Sequence, residues 1–384
     1  MRAIAAYLVF FFHFNPFVWG GHLPSTKAAE VAGAVVGEWN MGVSIFFVLS
    51  GFLIATRYVD RIERSVGWAK RYMLNRFARI YPLFFLLTIA VFLLVKVCHI
   101  QSWYTTMQYN TLTGHTTPGL DKVLAVATNL TLTRAFFRSF YMLGVPTAWS
   151  LTVEECFYIS APFLLLVLRR RPRLLPVLLG AVLATGCLLT LVATQLHSYG
   201  RFMQPLSFML SYTYFGRATE FFVGIGLALW LKKRGNAPAP AGTTLAGFVL
   251  LALGVAAMVV FDWHYVPTHD WPFTPGAILV NNMVLPLSVA VLFHGLVNER
   301  TWLQRLLSTK LFDLLGKSSY AFYLVHLGVF SDLLLGLVGR NVLVYFIVFN
   351  VAAILLYSLV EHPLHTIILK RFGASKELPA TFAA

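Results

Sequence analysis

Apolar residues run through this chain in long uninterrupted blocks, separated by shorter polar segments. Ten such blocks lie near 3–19, 41–57, 80–97, 150–168, 174–194, 205–231, 243–261, 277–297, 318–338 and 341–361. Most approach the roughly 20 residues that a helix needs to cross the hydrocarbon core of a bilayer. The pattern therefore predicts an all-α fold, a polytopic membrane helix bundle with about ten transmembrane helices. The sixth block starts irregularly, because Gln204-Pro205 and Gly216 interrupt it, and its firm part is 217–231. A long polar, aromatic-rich stretch, about 98–148, precedes the fourth. The first block follows a single Arg, and Trp19-Gly20-Gly21-His22 makes a poor cleavage site, so it is read as a span and not as a leader. No repeat or Gly/Ser linker divides the chain. Residues 1–371 are expected to form one transmembrane domain and 372–384 a short tail.

The basic residues orient this bundle. They cluster at residue 2 and in 57–79, 169–173, 232–234, 300–317 and 370–376, which fall on the same side of alternate spans. Roughly three-quarters of the Lys and Arg lie there, as the positive-inside rule requires of ten spans with both termini cytoplasmic. The net charge of +15 is thus a topology signal, and no nucleic-acid partner is needed to explain it. Charged residues make up 12% of the chain, about half the share of a soluble domain. That excludes a soluble enzyme, a disordered chain and a nucleic-acid module. Three widely spaced cysteines, Cys98, Cys156 and Cys187, carry neither a disulfide framework nor a zinc signature.

Ionisable residues inside apolar blocks are costly unless paired or facing a cavity, so they mark candidate chemistry. His13 lies in the first block, eleven residues after Arg2. Eleven residues of helix place the two on one face, about 16 Å apart. A neutral imidazole at that depth can act as a general base; the competing role is a hydrogen bond between packed helices. Arg76 and Arg79 share a face at the mouth of the third block and suit phosphate oxygens, or simply flank a span. Trp149-Ser150-Leu151-Thr152-Val153-Glu154-Glu155 puts two acids at the start of the fourth, where Thr152 and Glu155 have capping-box spacing. Arg217 and Glu220 have i,i+3 spacing for an ion pair. His326 lies about 13 Å inward from Lys317, a depth comparable to that of His13. Asp332 and Glu361 are less specific, Glu361 being at a helix end where solvent or Lys370 would satisfy it. Asp262, His264, His269 and Asp270 are capable of binding metal, but a Trp/Pro-rich loop with scattered polar groups accounts for them, and no metal is expected.

Taken in order, these elements resemble the acyltransferase 3 family of multi-spanning membrane acyltransferases. Arg2 to His13 is similar to the family's Arg-x10-His opening. Gly42-Val43-Ser44-Ile45-Phe46-Phe47-Val48-Leu49-Ser50-Gly51-Phe52-Leu53-Ile54 matches its second-span signature, and Arg76-Phe77-Ala78-Arg79-Ile80-Tyr81-Pro82 its RxxR element. Trp149 to Tyr158, Arg217-x-x-Glu220-Phe221, Ser319-Tyr320-x-x-Tyr323-Leu324-x-His326 and Glu361-His362-Pro363 complete the series. Ser44 stands where Asp is common and Cys156 where Gln is frequent. Some relatives add a further span and a soluble esterase domain; this sequence stops short of both, so the acyl group is expected to pass directly to an acceptor or through a separate partner.

The resemblance implies an O-acyltransferase that moves an acyl group, most often acetyl, from cytoplasmic acyl-CoA to a hydroxyl of a cell-envelope or exported glycan. His13 is the implied general base, with Glu154, Glu155 and His326 as further catalytic candidates. Arg2, Arg76 and Arg79 would hold the CoA donor, and Arg217, Glu220 and Trp149 the acceptor, a glycan or lipid-linked sugar. Membrane lipid is the other expected partner, and a bacterial inner membrane the expected location. The competing class is a transporter or flippase for a polar or lipid-linked solute, which would also bury His, Glu and Arg around a cavity.

Overall fold

The computed structural model describes residues 1–19, 26–100, 105–106, 110, 119–235, 237–263, 265 and 273–372. The candidate ligands His264, His269 and Asp270, the junction after Trp19 and the tail beyond Phe372 lie outside them. Among the described residues the regular elements are all helical, with one isolated antiparallel bridge between Phe137 and Phe202. In chain order they are α1 (Arg2–His13), α2 (Lys27–Gly37), α3 (Gly42–Tyr58), α4 (Val66–Cys98), α5 (Gly119–Leu130), α6 (Trp149–Leu168) and α7 (Leu175–Gln195). There follow α8 (Leu206–Tyr212), α9 (Ala218–Arg234), α10 (Thr243–Asp262), α11 (Pro275–Asn298), α12 (Trp302–Leu307), α13 (Lys310–Val325), α14 (Val329–Val338) and α15 (Val342–Arg371).

Each of the ten apolar blocks contains helix, though 14–19 of the first and 213–217 of the sixth lie outside it. Among the described residues, seven helical segments are long and apolar enough to cross a membrane, or eight if the bent pair α13 and α14 counts as one span. The other two blocks give shorter helices. α1 has 12 residues, because Pro16 disfavours helix at Asn15 and the chain leaves helical geometry at Phe14. α9 has 17, because the irregular start of its block becomes the separate α8. α4 is 33 residues long and starts well before its apolar part, at Ser65, whose hydroxyl caps the Trp68 amide. Arg76 and Arg79 therefore lie within α4, just ahead of its apolar part. α6 begins at Trp149, so Thr152 is already inside it and the Thr152–Glu155 capping box does not form. α2, an amphipathic helix capped by Thr26, has no counterpart among the ten blocks.

Two apolar cores share their walls. One gathers side chains from α1, α3, α4, α6, α9, α13 and α15; the other is built by α3, α9, α10 and α11. α3 and α9 pack backbone to backbone. A Cβ on Gly51 would lie 2.2 Å from the Phe221 carbonyl oxygen, and one on Gly224 would lie 2.1 Å from that of Val48. Such contacts are how helices associate where no hydrophobic force separates lipid from protein. α1 lies against α3 and α13, so the first helix is central and not peripheral. α7 and α15 sit outside and turn apolar side chains such as Leu188, Leu191, Ile347 and Val351 outward.

The ninth block is broken. α13 ends at Val325, and α14 leaves at an angle of 87°. The elbow needs Gly328, whose φ of 85° is left-handed and whose missing Cβ makes room for Pro146. His326 stands at this elbow.

Candidate active site

The α1 helix links two cavities. The larger, of ≈ 1520 Å³, lies between α1, α3, α4, α6, α13 and the end of α15. It exceeds the volume of about 300–1,000 Å³ that suits drug-sized ligands. Its wall carries Arg2, Arg57, Arg61, Arg71, Arg76 and Arg79, against the acids Glu63 and Glu154. Arg57, Arg61 and Arg71 are exposed and form its rim, while Arg2, Arg76 and Arg79 are half-buried within. The smaller cavity, of ≈ 90 Å³, lies at the other end of α1 and is lined by His13 together with Trp149, Tyr212, Arg217, Asn281 and Asn282.

At the small-cavity end of α1 two histidines meet. His13 Nδ1 is 3.1 Å from His326 Nε2, although 313 residues separate them. His326 is fully buried, and its Nδ1 lies 3.2 Å from the Phe322 carbonyl oxygen. These contacts fix the protons. A carbonyl only accepts, so Nδ1 of His326 must donate. In the neutral pair, Nε2 of His326 is then an acceptor and takes the proton of His13 Nδ1. Nε2 of His13 is left with a free lone pair. The backbone of α13 thereby selects the His13 tautomer that can accept a proton.

The glutamates part company. Glu154 lines the large cavity, where its Oε1 accepts hydrogen bonds from Ser50 Oγ (2.7 Å) and the Tyr158 hydroxyl. Glu155 points elsewhere and accepts from the Tyr81 hydroxyl. Among the described residues neither hydrogen-bonds to His13. Arg76 lies over the Tyr158 ring at 5.5 Å, which binds it to the same wall as Glu154. Arg79 is ion-paired with the buried Glu361 at 2.9 Å. The charge partner of the buried Glu361 is therefore Arg79, across the bundle, and not solvent or Lys370 as its position in the sequence suggests.

On the far side, Arg217 Nε lies 2.6 Å from Glu220 Oε1, and both side chains are buried. Arg217 also donates to Ser44 Oγ (2.9 Å), which contacts Asn281 Oδ1 at 3.3 Å. This network presents Arg217 to the small cavity and keeps Glu220 behind it. Trp149 enters the same cavity with its ring edge-to-face against Tyr212.

Several contributors were not singled out from the sequence. Arg57, Arg61 and Arg71 read as ordinary cytoplasmic flanks, and His365 lies beyond the last motif. Asn281 and Asn282 were visible as two amides inside an apolar block, and they occupy a π-helical turn at Val280–Val284. Such turns are frequent at functional sites. Among the described residues no group of three or more His, Cys, Asp or Glu is placed to hold a metal.

Comparison with known proteins agrees with this arrangement of motifs. Residues 1–361 match the family described as the acyltransferase domain, acyltransferase 3, and the chain belongs to that family. A Staphylococcus aureus protein bearing the provisional name O-acetyltransferase is 24% identical over 349 residues, covering 80% of this chain and 50% of that protein. The peptidoglycan O-acetyltransferase of Listeria monocytogenes is 25% identical, covering 85% of this chain and 48% of its own length. The chain thus spans about half the length of the curated relatives it matches. No solved structure matches it.

Proposed function

We propose that the protein is an integral inner-membrane O-acyltransferase that takes an acyl group, acetyl above all, from cytoplasmic acyl-CoA and transfers it to a hydroxyl of an envelope glycan. The observation that carries this reading is the His13–His326–Phe322 relay, whose His13 lines a small aromatic and amide-lined cavity that shares wall residues with a large basic one. Arg76 and Arg2, with the free face of Arg79, hold the CoA phosphates by charge-assisted hydrogen bonds in the larger cavity. The arginine rim is the cytoplasmic one, in keeping with the positive-inside rule, and both termini lie on that side. Arg217 and Trp149 meet the reacting edge of the sugar at the smaller cavity, which at ≈ 90 Å³ takes a hydroxyl and not a whole ring, with Glu220 and Ser44 fixing the guanidinium.

The reaction then follows from proton positions. Nε2 of His13 takes the proton of the acceptor hydroxyl as its oxygen attacks the thioester carbon. The C–S bond breaks, an ester C–O bond forms, and the proton passes from His13 to the departing CoA thiolate. His326 accepts from His13 Nδ1 throughout and stabilises the imidazolium that forms. Glu154, tied to Ser50 and Tyr158, shapes the donor cavity beside Arg76. Glu155 stays outside the chemistry in this scheme. The glycan acceptor is supported by the name of the Listeria relative, and the acyl donor by the basic cavity.

The test uses the purified chain in proteoliposomes with radiolabelled acetyl-CoA and candidate envelope glycans. Transfer of label with release of one CoA per acetyl is expected, and its loss in a folded His13→Ala variant. Full transfer by that variant would refute the base assignment. Solute uptake without CoA consumption would instead make the protein a carrier.

A further inference from the structure

Among the described residues, two side chains, Val43 and Tyr323, border both cavities. Tyr323 is the larger and is braced on each side. Its hydroxyl donates to Ser150 Oγ at 3.0 Å, and Ser150 Oγ in turn donates to the Thr147 carbonyl at 3.0 Å. Thr147 Oγ1 donates back to the Tyr323 carbonyl at 2.9 Å. Ser150 faces the large cavity and Thr147 the small one, so this ring of hydrogen bonds straddles the partition. The Tyr323 ring lies 5.8 Å from that of His326 and meets Phe46 edge-on at 5.8 Å. His13 belongs to the small cavity alone, and Arg76 and Arg79 to the large one.

A thioester held by the arginines therefore meets the imidazole pair only past these two side chains. We infer that Tyr323 and Val43 form the aperture through which the acyl group reaches His13, and that their bulk sets acyl length and keeps water off the thioester. The inference rests on the acyl-transfer reading above. An acetyl group is small enough to pass beside a displaced phenol ring, whereas each added methylene must be fitted between Tyr323 and Val43. Water that crosses the same aperture would attack the thioester carbon in place of the glycan. The C–S bond would break, a carboxylic acid would form, and the proton would pass through His13 to the thiolate as before.

The experiment compares acetyl-CoA and butyryl-CoA as donors for the reconstituted chain, following acyl transfer and, with no glycan present, the appearance of free CoA thiol. Pocket discrimination by methylenes is worth about tenfold or more, so Tyr323→Ala is expected to shift the butyryl-to-acetyl ratio of kcat/KM by at least about tenfold. It also raises glycan-independent thiol release. Val43→Ala shifts the ratio the same way and serves if Tyr323→Ala does not fold. Tyr323→Phe keeps the ring but loses the Ser150 brace, so it raises thiol release while keeping the acetyl preference. An active Tyr323→Ala or Val43→Ala variant with an unchanged ratio and no added thiol release overturns the aperture. If the unaltered protein turns over neither donor, the acyl-transfer reading itself fails.

Discussion

Replacing His326 tests the relay directly. In His326→Ala the Nδ1 of His13 loses its side-chain acceptor, and only the ring's hydrogen bond to the Val9 backbone is left to bias its tautomer. The loss is greatest in the transition state, when His13 carries a positive charge and its bond to His326 becomes charge-assisted. Hydrogen bonds to charged groups contribute about 1.5–3 kcal/mol, which corresponds to roughly 10–200-fold in rate at 1.36 kcal/mol per tenfold. We expect kcat to fall by that factor with the KM for acyl-CoA unchanged, because Arg2, Arg76 and Arg79 line a different cavity. His326→Gln is the informative control. A glutamine Oε1 can occupy the place of the imidazole Nε2 and accept the same proton without titrating. It should keep kcat within about tenfold of the unaltered protein, since the bond it restores is worth most of the loss. The assay is initial-rate transfer from labelled acetyl-CoA in proteoliposomes, with folding checked by thermal unfolding. If His326→Gln is as impaired as His326→Ala while both are folded, the tautomer argument is wrong. If His326→Ala is fully active, His326 has no part in positioning the base.

Three further outcomes are expected. Arg79→Ala leaves the buried Glu361 carboxylate unpaired, which costs roughly 3–5 kcal/mol in such pairs, so its melting temperature should drop and recover with Glu361→Gln; Arg76→Ala should instead raise the KM for acyl-CoA with little change in melting temperature. Gly224→Ala should prevent normal assembly, because the added carbon meets the Val48 carbonyl, whereas Gly226→Ala on the same helix, with Leu175 Cδ1 at 3.6 Å, should be tolerated; equal yields of the two folded proteins in detergent would contradict the close packing. Glu299, in the loop after α11, is held below the usual carboxylate range by the Thr244 hydroxyl, the Thr244 amide and the Gly242 amide. Its contribution to stability is therefore present above the ordinary carboxylate pKa and is lost as pH falls through the lowered one. Thermal unfolding from pH 7 down to 3 should show this loss, and Glu299→Gln should lack it.

The blocks of apolar sequence were legible because hydrocarbon imposes one rule, that backbone polar groups be paired within a helix, and that rule writes itself into runs of residues. Where a run is interrupted, the structure follows the interruption: Gln204-Pro205 and Gly216 separate α8 from α9, and Asn15-Pro16 ends α1. The histidines were visible for the same reason, since an imidazole inside such a run calls for an account. Their meeting was not visible. Positions 13 and 326 are joined by the packing of α1 on α13 and by the elbow at Gly328, and neither can be read from local spacing. Glu361 shows the limit most clearly. Its own neighbourhood supplies solvent and Lys370 as partners, yet it folds under the bundle and meets Arg79, a residue that motif spacing reserves for phosphate. Local sequence thus marks which charges need a partner in the membrane, while the tertiary fold decides which partner each one gets. For Arg79 that choice divides one guanidinium between holding the bundle together and facing the donor cavity, and this is why the two members of the RxxR element should respond differently to substitution.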